Sequence, residues 1–127
     1  MKPSPLRAKS YDMAVAIVLL VKDVQAKHRE YTLTKQLVRC GTNPGAMTRE
    51  AKQAESKADF IHKLSIAAKE ADEAGFWLEV FEDTGYLEGV DATRAIQLTK
   101  EVIRLLTAIL KTSKANLAAE KNRRKGR

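Results

Sequence analysis

The chain has few of the residues that characterise disulfide-rich, β-rich or membrane-spanning proteins. Its one cysteine, Cys40, excludes an intramolecular disulfide and a cysteine-based zinc cluster, and it fits a reducing compartment. Six glycines and three prolines in 127 residues, with no alternating apolar pattern between turn residues, exclude a β-rich fold. The longest apolar run, residues 13–21, is about half the ~20 residues that a transmembrane helix needs. We therefore predict a one-domain, all-α protein with no membrane partner.

The patterns of common enzyme active sites are also missing. There is no glycine-rich phosphate loop, no serine–histidine–acid pattern and no cluster of metal ligands. Asp59 and His62 have the acid-x-x-His spacing of di-iron bundles, but such a site needs that pair on two helices and the chain has it once. Cys40 lies on the apolar face of a predicted helix, which indicates a core residue and not a nucleophile. We predict a protein that is not an enzyme and holds no metal or cofactor.

What the sequence does contain is a strong helical repeat between Ser56 and Tyr86. Ser56 is predicted to cap the start of this helix and Gly85 to end it. Alternating gaps of four and three place seven apolar residues on one stripe, which is typical of a helical bundle. The stripe consists of Phe60, Leu64, Ala67, Ala71, Ala74, Leu78 and Phe81.

The first and last predicted helices are apolar over more than one face. The first runs from Lys9 or Ser10 to about Gln25 and is apolar on nearly every side. The last follows Asp91, its predicted cap, and repeats the four-three spacing as far as Leu117. Short connections predict an antiparallel up-down-up-down four-helix bundle, and apolar faces this wide predict a homo-oligomer.

The second predicted helix has an unusual interior. It is expected to begin at Thr32 or Thr34, and it contains Gly41, Pro44 and Gly45. Proline in a helix removes a hydrogen bond and disturbs the preceding turn. Two shorter helices and one kinked helix are both compatible with this pattern, and we favour the kinked helix.

The two ends of the chain are expected to differ from the bundle, which we place at residues 9–117. Pro3 and Pro5 predict a flexible arm over residues 1–8, and the polar start MKPSPLRAKS predicts a cytoplasmic protein without a signal peptide. Residues 118–127 are predicted to form a basic tail.

The positive charge is concentrated at the C-terminus. The formal net charge is +7, and the last eight residues, EKNRRKGR, carry +4 of it, from five cations and one anion. A basic tail on a nearly balanced body predicts RNA or DNA as partner. The alternative is a protein–protein scaffold or adaptor with no nucleic-acid role, whose solvated tail only improves solubility. The predicted nucleic-acid-binding residues are Lys111, Lys114, Lys121, Arg123, Arg124, Lys125 and Arg127.

Charged residues of the second and third helices are predicted to meet near Pro44. A buried carboxylate needs a cation or a backbone donor, because an unpaired buried charge is strongly unfavourable. A ligand-binding cleft built from the same side chains is the less favoured alternative. The predicted buried polar cluster consists of Arg39, Arg49, Glu50, Glu70 and Glu73.

Two blocks of the sequence are similar to a known family. TNPGAMTREA, followed by ADFIHKLSIAAKEADEAGFWLEV, resembles the four-helix-bundle proteins encoded in intervening sequences of 23S ribosomal RNA genes. Met47 and Thr48 depart from the asparagine and isoleucine of the family pattern, and Asn43 and Pro44 replace its serine and isoleucine. The matching residues are Gly45, Ala46, Glu50, Asp59, Phe60, Leu64, Ile66, Ala67, Glu70, Glu73, Trp77 and Leu78.

The resemblance covers about residues 9–113 and implies an antiparallel four-helix bundle without catalytic activity. Such proteins assemble as rings of five, so the resemblance implies a homopentamer. A related branch serves as accessory proteins to the reverse transcriptases of diversity-generating retroelements and binds nucleic acid through basic surfaces. Trp77, one residue off the apolar stripe, is expected at a subunit interface or at the flank between two helices.

Overall fold

The computed structural model describes residues 4–126 and contains four helices in this range and no strand. The helices are α1 (Pro5–His28), α2 (Leu33–Ala51), α3 (Lys57–Asp83) and α4 (Thr93–Lys125). Each helix packs against the next one in the chain, and α4 packs back against α1, so α1 and α3 lie diagonally across the bundle. The predicted all-α, up-down-up-down architecture is confirmed. No helix in this part of the chain is both long and apolar enough to cross a membrane.

The predicted stripe of α3 forms the centre of the core. Six of its seven residues are buried, and Phe60, at the start, is half-buried. Ser56 Oγ accepts a hydrogen bond from the backbone N–H of Asp59 at 3.0 Å, which confirms the predicted cap. Gly85 follows the helix with a φ of 86°, a conformation that favours glycine. The buried residues are Leu64, Ala67, Ala71, Ala74, Leu78 and Phe81.

Helix α1 begins four to five residues earlier than the sequence predicts. Pro5 occupies the first helical position, where its fixed φ suits the helix and its missing N–H is not needed. Ser4 Oγ accepts from the backbone N–H of Arg7 at 3.5 Å, and Leu6 is buried. The predicted flexible arm is therefore wrong for residues 5–8, and residues 1–3 lie outside the described part of the chain.

Helix α2 is a single helix that includes Pro44, so the alternative of two shorter helices is wrong. Its glycines allow α1 to approach closely. A Cβ atom at Gly41 would lie 2.5 Å from Ile17 Cδ1, and a Cβ atom at Gly45 would lie 3.2 Å from the backbone oxygen of Ser10. Residues that look unfavourable within one helix are therefore required where two helices cross.

Helix α2 begins where the sequence predicts, with Thr32 at the N-cap position, but the Glu30 carboxylate and not a threonine hydroxyl stabilises this start. The Glu30 carboxylate accepts from the backbone N–H groups of Thr32, Leu33 and Thr34 at 3.1, 2.8 and 2.9 Å. These three donors would otherwise lack partners at the helix start. Partial burial raises the pKa of Glu30, but the backbone hydrogen bonds from Leu33, Thr34 and Thr32 lower it more strongly, so the net pKa lies below its ordinary value.

Helix α4 is the longest of the four, with 33 residues. Asp91 stands one position before its N-cap residue, and the carboxylate accepts from the backbone N–H of Thr93 at 3.1 Å. The helix continues without interruption to Lys125. Residues 118–125, predicted as the start of a tail, are thus the last turns of α4.

Candidate nucleic-acid interface

The outer side of α4 carries a row of cations. At about 100° per residue, six lysine and arginine residues fall within an arc of roughly 100°, on the side away from the core. All six are exposed to solvent, whereas the other side of the helix buries residues such as Val102 and Leu106. We call this row the basic stripe, and it consists of Lys100, Arg104, Lys111, Lys114, Lys121 and Lys125.

Both carboxylates of α4 are engaged by neighbouring helices. Lys9 Nζ of α1 lies 3.1 Å from Glu101 Oε2. The angles do not fit a hydrogen bond, so this contact is an ion pair. Lys57, the first residue of α3, donates a hydrogen bond to Glu120, and this bond lowers the pKa of the Glu120 carboxyl. Neither acid therefore lies among the cations of the stripe. The six cations form no ion pair with any residue of the described range 4–126.

Four of the seven predicted nucleic-acid-binding residues belong to the basic stripe: Lys111, Lys114, Lys121 and Lys125. Arg123 and Arg124 are exposed on other sides of the helix, where they line a shallow cleft with Ser56 and Lys57. Arg127 lies outside the described residues. The structure thus places four of the predicted residues in the basic stripe and two, Arg123 and Arg124, on sides of α4 that adjoin the start of α3.

Lys100 and Arg104 were not among the predicted residues, because they precede the segment whose composition is strongly basic. Lys100 lies eleven residues before Lys111, and Arg104 lies seven residues before it. Both intervals return to the same face of a helix. Plotting every cation of the last helix on a helical wheel would have found them. Their exposure, however, depends on which side α1 and α3 cover.

The predicted buried polar cluster is only partly formed, and it is not buried. Arg39 of α2 donates to both Glu70 and Glu73 of α3, with Nη–Oε distances of 2.9 and 3.0 Å. The hydrogen bond to Glu73 and the charge of Glu70 raise the pKa of Arg39. Half of the Arg39 side chain is exposed, at 50%, so this group is a surface ion network, which stabilises a fold only modestly.

Arg49 and Glu50 take no part in this network. Each is exposed, and the Arg49 guanidinium lies 5.7 Å from the ring centre of Tyr11, in a cation–π contact. The prediction failed because Arg39 and Arg49 are ten residues apart. That separation turns the side chain by about 80° and moves it about 15 Å along the helix.

The remaining candidate chemical groups serve structural roles. Cys40 is fully buried, and desolvation raises the pKa of its thiol to about 12, so it is not a thiolate at neutral pH. Asp59 accepts from the backbone N–H of Glu55 at 3.2 Å and forms an ion pair with Lys63 at 3.6 Å. Within residues 4–126, no three histidine, cysteine, aspartate or glutamate side chains come together as a metal site would need.

A second unusual surface is the outer face of α1. Four large side chains, which we call the α1 patch, are exposed there at i, i+4, i+7 and i+8 spacing. Monomeric proteins rarely expose a contiguous apolar row of this kind. The α1 patch consists of Tyr11 (55% exposed), Val15 (41%), Val18 (38%) and Leu19 (59%).

Across the bundle diagonal, α3 exposes a further large apolar side chain, Phe76, at 56%. Its ring packs edge-on against Trp77, with 5.4 Å between ring centres. The indole Nε1 of Trp77 is buried and finds no hydrogen-bond acceptor within residues 4–126. Phe76 and the α1 patch lie on diagonally opposite helices of the bundle.

Comparison with known proteins gives a family match over most of the chain. The model of the 23S rRNA-intervening sequence protein family matches residues 5–108. A crystal structure at 1.70 Å of a protein of unknown function from the S23 ribosomal protein family of Bacteroides thetaiotaomicron VPI-5482 is similar, with 40% identity and a TM-score of 0.74. The similarity covers 84% of this chain and 98% of that one. Among curated proteins, none matches this chain. Neither description that matches names an enzymatic activity.

Proposed function

The chain belongs to the 23S rRNA-intervening sequence protein family, and from this premise we propose that it is a non-enzymatic helical-bundle protein that binds RNA or DNA through the basic stripe. The observation that supports this proposal is the arrangement of charge on α4. Six cations face solvent in one row, while both carboxylates of the helix are paired with Lys9 and Lys57.

Such a row is suited to phosphates and not to base edges. Lysine and arginine side chains that contact phosphates release condensed counterions, which gives sequence-independent binding with a steep salt dependence. If all six cations contact a duplex, the slope of log K against log salt is about −5, and affinity falls about 10³-fold between about 50 and 200 mM salt.

The test compares two triple variants that remove equal charge. Lys111→Gln, Lys114→Gln and Lys121→Gln lie in the stripe, whereas Lys35→Gln, Lys52→Gln and Lys69→Gln neutralise exposed lysines of α2, its C-cap and α3. We expect the stripe variant to reduce the salt slope by about 3 for a generic structured RNA or duplex, and the control to leave it unchanged. Equal losses in both variants, or no binding by the parent protein at about 50 mM salt, would contradict the proposal.

We further propose that copies of the chain associate through the α1 patch. Val15, Val18 and Leu19 are exposed apolar side chains that a neighbouring copy would remove from water. Because Phe76 lies on the opposite corner of the bundle, a pairing of α1 with α3 of the next copy would be heterologous, and such contacts form a ring when the rotation between copies closes. Five copies is the number that the family resemblance implies. In a ring, each copy presents its α4 in the same way, so weak phosphate contacts add up.

Light scattering coupled to size exclusion measures this association directly. We expect the parent protein to elute at a multiple of its 14.1 kDa chain mass, five-fold for a pentamer. Val15→Glu with Leu19→Glu should give a folded monomer, because both positions are exposed in the single chain. The control, Gln53→Glu with Gln97→Glu, adds the same charge elsewhere and should leave the mass unchanged. A monomeric parent protein would contradict self-association and favour the alternative, a protein–protein adaptor.

A further inference from the structure

We infer that the basic stripe is built for a double-stranded nucleic acid, whose phosphate ridges it crosses, and not for a single strand. This inference rests on the proposed function of the stripe. The inference adds the class of nucleic acid to that function, and the spacing of the six cations along α4 supports it.

The cations are grouped in three pairs. Lys100 and Arg104 form the first, Lys111 and Lys114 the second, and Lys121 and Lys125 the third. At about 1.5 Å per residue, the midpoints of successive pairs are about 16 Å apart, and the first and third are about 32 Å apart.

Short neutral side chains separate the pairs. Thr107 and Ala118 lie on the same side of α4 as the stripe, and both are exposed. The surface therefore alternates between long cationic side chains and neutral depressions.

This alternation matches the backbone of a duplex. In B-form DNA one helical turn is about 34–36 Å, and a groove separates the phosphate ridges of the two strands. A helix laid across the grooves meets one strand with its first pair, the other strand with its middle pair, and the first strand again one turn later. The grooves differ in width, about 12 and 6 Å, so the evenly spaced middle pair does not lie directly over the second strand. The reach of lysine and arginine side chains covers this offset and the few ångströms by which 32 Å falls short of one turn. A single strand presents a phosphate every few ångströms and would be matched by an uninterrupted row of cations.

The absence of aromatic residues from α4 agrees with this inference. Proteins that hold single strands without sequence preference stack the bases on aromatic side chains. Helix α4, Thr93–Lys125, contains no phenylalanine, tyrosine or tryptophan. A single strand on the stripe would thus be held by charge alone.

The stripe is also fixed in its orientation before any partner arrives. The pairs Lys9–Glu101 and Lys57–Glu120 tie α4 to α1 and α3 at two points 19 residues apart. Together with the buried side of α4, which includes Val102 and Leu106, these contacts hold the helix so that the stripe faces solvent. Preorganised contacts of this kind reduce the entropy lost on binding.

The experiment compares four probes of equal length with the full chain: duplex DNA, duplex RNA, oligo-dT and oligo-U, each about 30 nucleotides or roughly three helical turns. Fluorescence anisotropy at several salt concentrations gives affinities and salt slopes. We expect at least one duplex to bind about tenfold more tightly than either single strand, because only a duplex meets all three pairs. The comparison of DNA with RNA then identifies the duplex form.

A variant of unchanged net charge isolates the spacing. Lys111→Gln and Lys114→Gln remove the middle pair, while Thr107→Lys and Ala118→Lys return two charges to the gaps. We expect this variant to lose about tenfold in duplex affinity with little change for single strands, and circular dichroism would confirm that it remains helical. Equal binding of single strands and duplexes, or unchanged duplex affinity in the variant, would overturn the duplex inference alone. Failure of every probe to bind at about 50 mM salt would overturn the proposed function itself.

Discussion

The α1–α2 hairpin packs through glycines, whereas the α3–α4 hairpin packs through alanine, threonine and aliphatic side chains. A Cβ atom at Gly41 would lie 2.5 Å from the Ile17 side chain, but one at Gly75 would lie 3.9 Å from both Ile103 and Thr99. The first contact leaves no room for a methyl group, and the second is an ordinary van der Waals distance. The same residue type therefore has opposite roles in the two halves of the bundle.

The outer faces of the two hairpins differ as well. Helix α1 of the close-packed hairpin presents the apolar α1 patch, and α4 of the other hairpin presents the basic stripe. Lys57, the first residue of α3, pairs with Glu120 of α4, and α4 continues past this pair to Lys125. The two surfaces that we propose for self-association and for a polyanion therefore differ in chemistry, since the α1 patch is apolar and the basic stripe of α4 is cationic.

The largest effect on stability is expected where the packing is tightest. Gly41→Ala places a methyl group against Ile17, a fully buried and β-branched side chain, and should destabilise the protein by about 1–3 kcal/mol. The gain in helix propensity, about 1 kcal/mol, offsets part of this loss. Urea denaturation measures the change in the free energy of unfolding. A variant at least as stable as the parent would contradict this prediction, because it would show that α1 can move away from α2 without a loss of stability.

A smaller effect is expected at the start of the second helix of each hairpin. Glu30→Ala removes an acceptor for three backbone N–H groups and should cost about 1 kcal/mol at neutral pH. Asp91→Ala, the matched change in the other hairpin, removes an acceptor for one N–H and should have less effect.

The loss caused by Glu30→Ala should depend on pH. Folding lowers the pKa of Glu30 from its ordinary value of 4.5, so the carboxylate stabilises the fold above that value. Its contribution disappears as pH falls through the lower, folded pKa. Denaturation of parent and variant at neutral and acidic pH should therefore give converging stabilities in acid. A difference that stays constant across this range would contradict the capping role.

The smallest effect, and one of opposite sign, is expected at Gly75. Alanine fits the space beside Ile103 and Thr99 without displacement, and it favours the helix by about 1 kcal/mol over glycine. Gly75→Ala should thus raise the melting temperature by a few degrees, whereas Gly41→Ala lowers it. If both substitutions shifted the melting temperature in the same direction, the contrast between the two hairpins would not hold.

Local patterns predicted the fold well, because they depend on residues that are neighbours on one helix. The four-three spacing of α3 predicted its buried stripe, and Ser56 and Gly85 predicted its ends. The start of α1 was missed because Pro5 was interpreted as a helix breaker, although proline is favourable in the first turn. The start of α2 was predicted correctly at Thr32, but the role of Glu30 in stabilising it was missed, because Glu30 stands outside the helix.

The candidate interface was predicted only in part. Charge composition identifies a basic segment of the chain, but it does not show which cations share one face of a helix. Lys100 and Arg104 were missed although they share a helix face with Lys111. Arg49 and Glu50 were assigned to a cluster that the helix rotation between positions 39 and 49 excludes.

The four helices, their antiparallel order and the residues that share each helix face all follow from the amino-acid sequence alone. Helical periodicity and short connections suffice for these, because they act between residues close in the chain. Tertiary structure decided which faces are covered and which charges remain free. Lys9 and Lys57 of neighbouring helices pair with Glu101 and Glu120, and the approach of Ile17 makes Gly41 necessary. These outcomes depend on contacts between residues far apart in the chain, which no local pattern specifies.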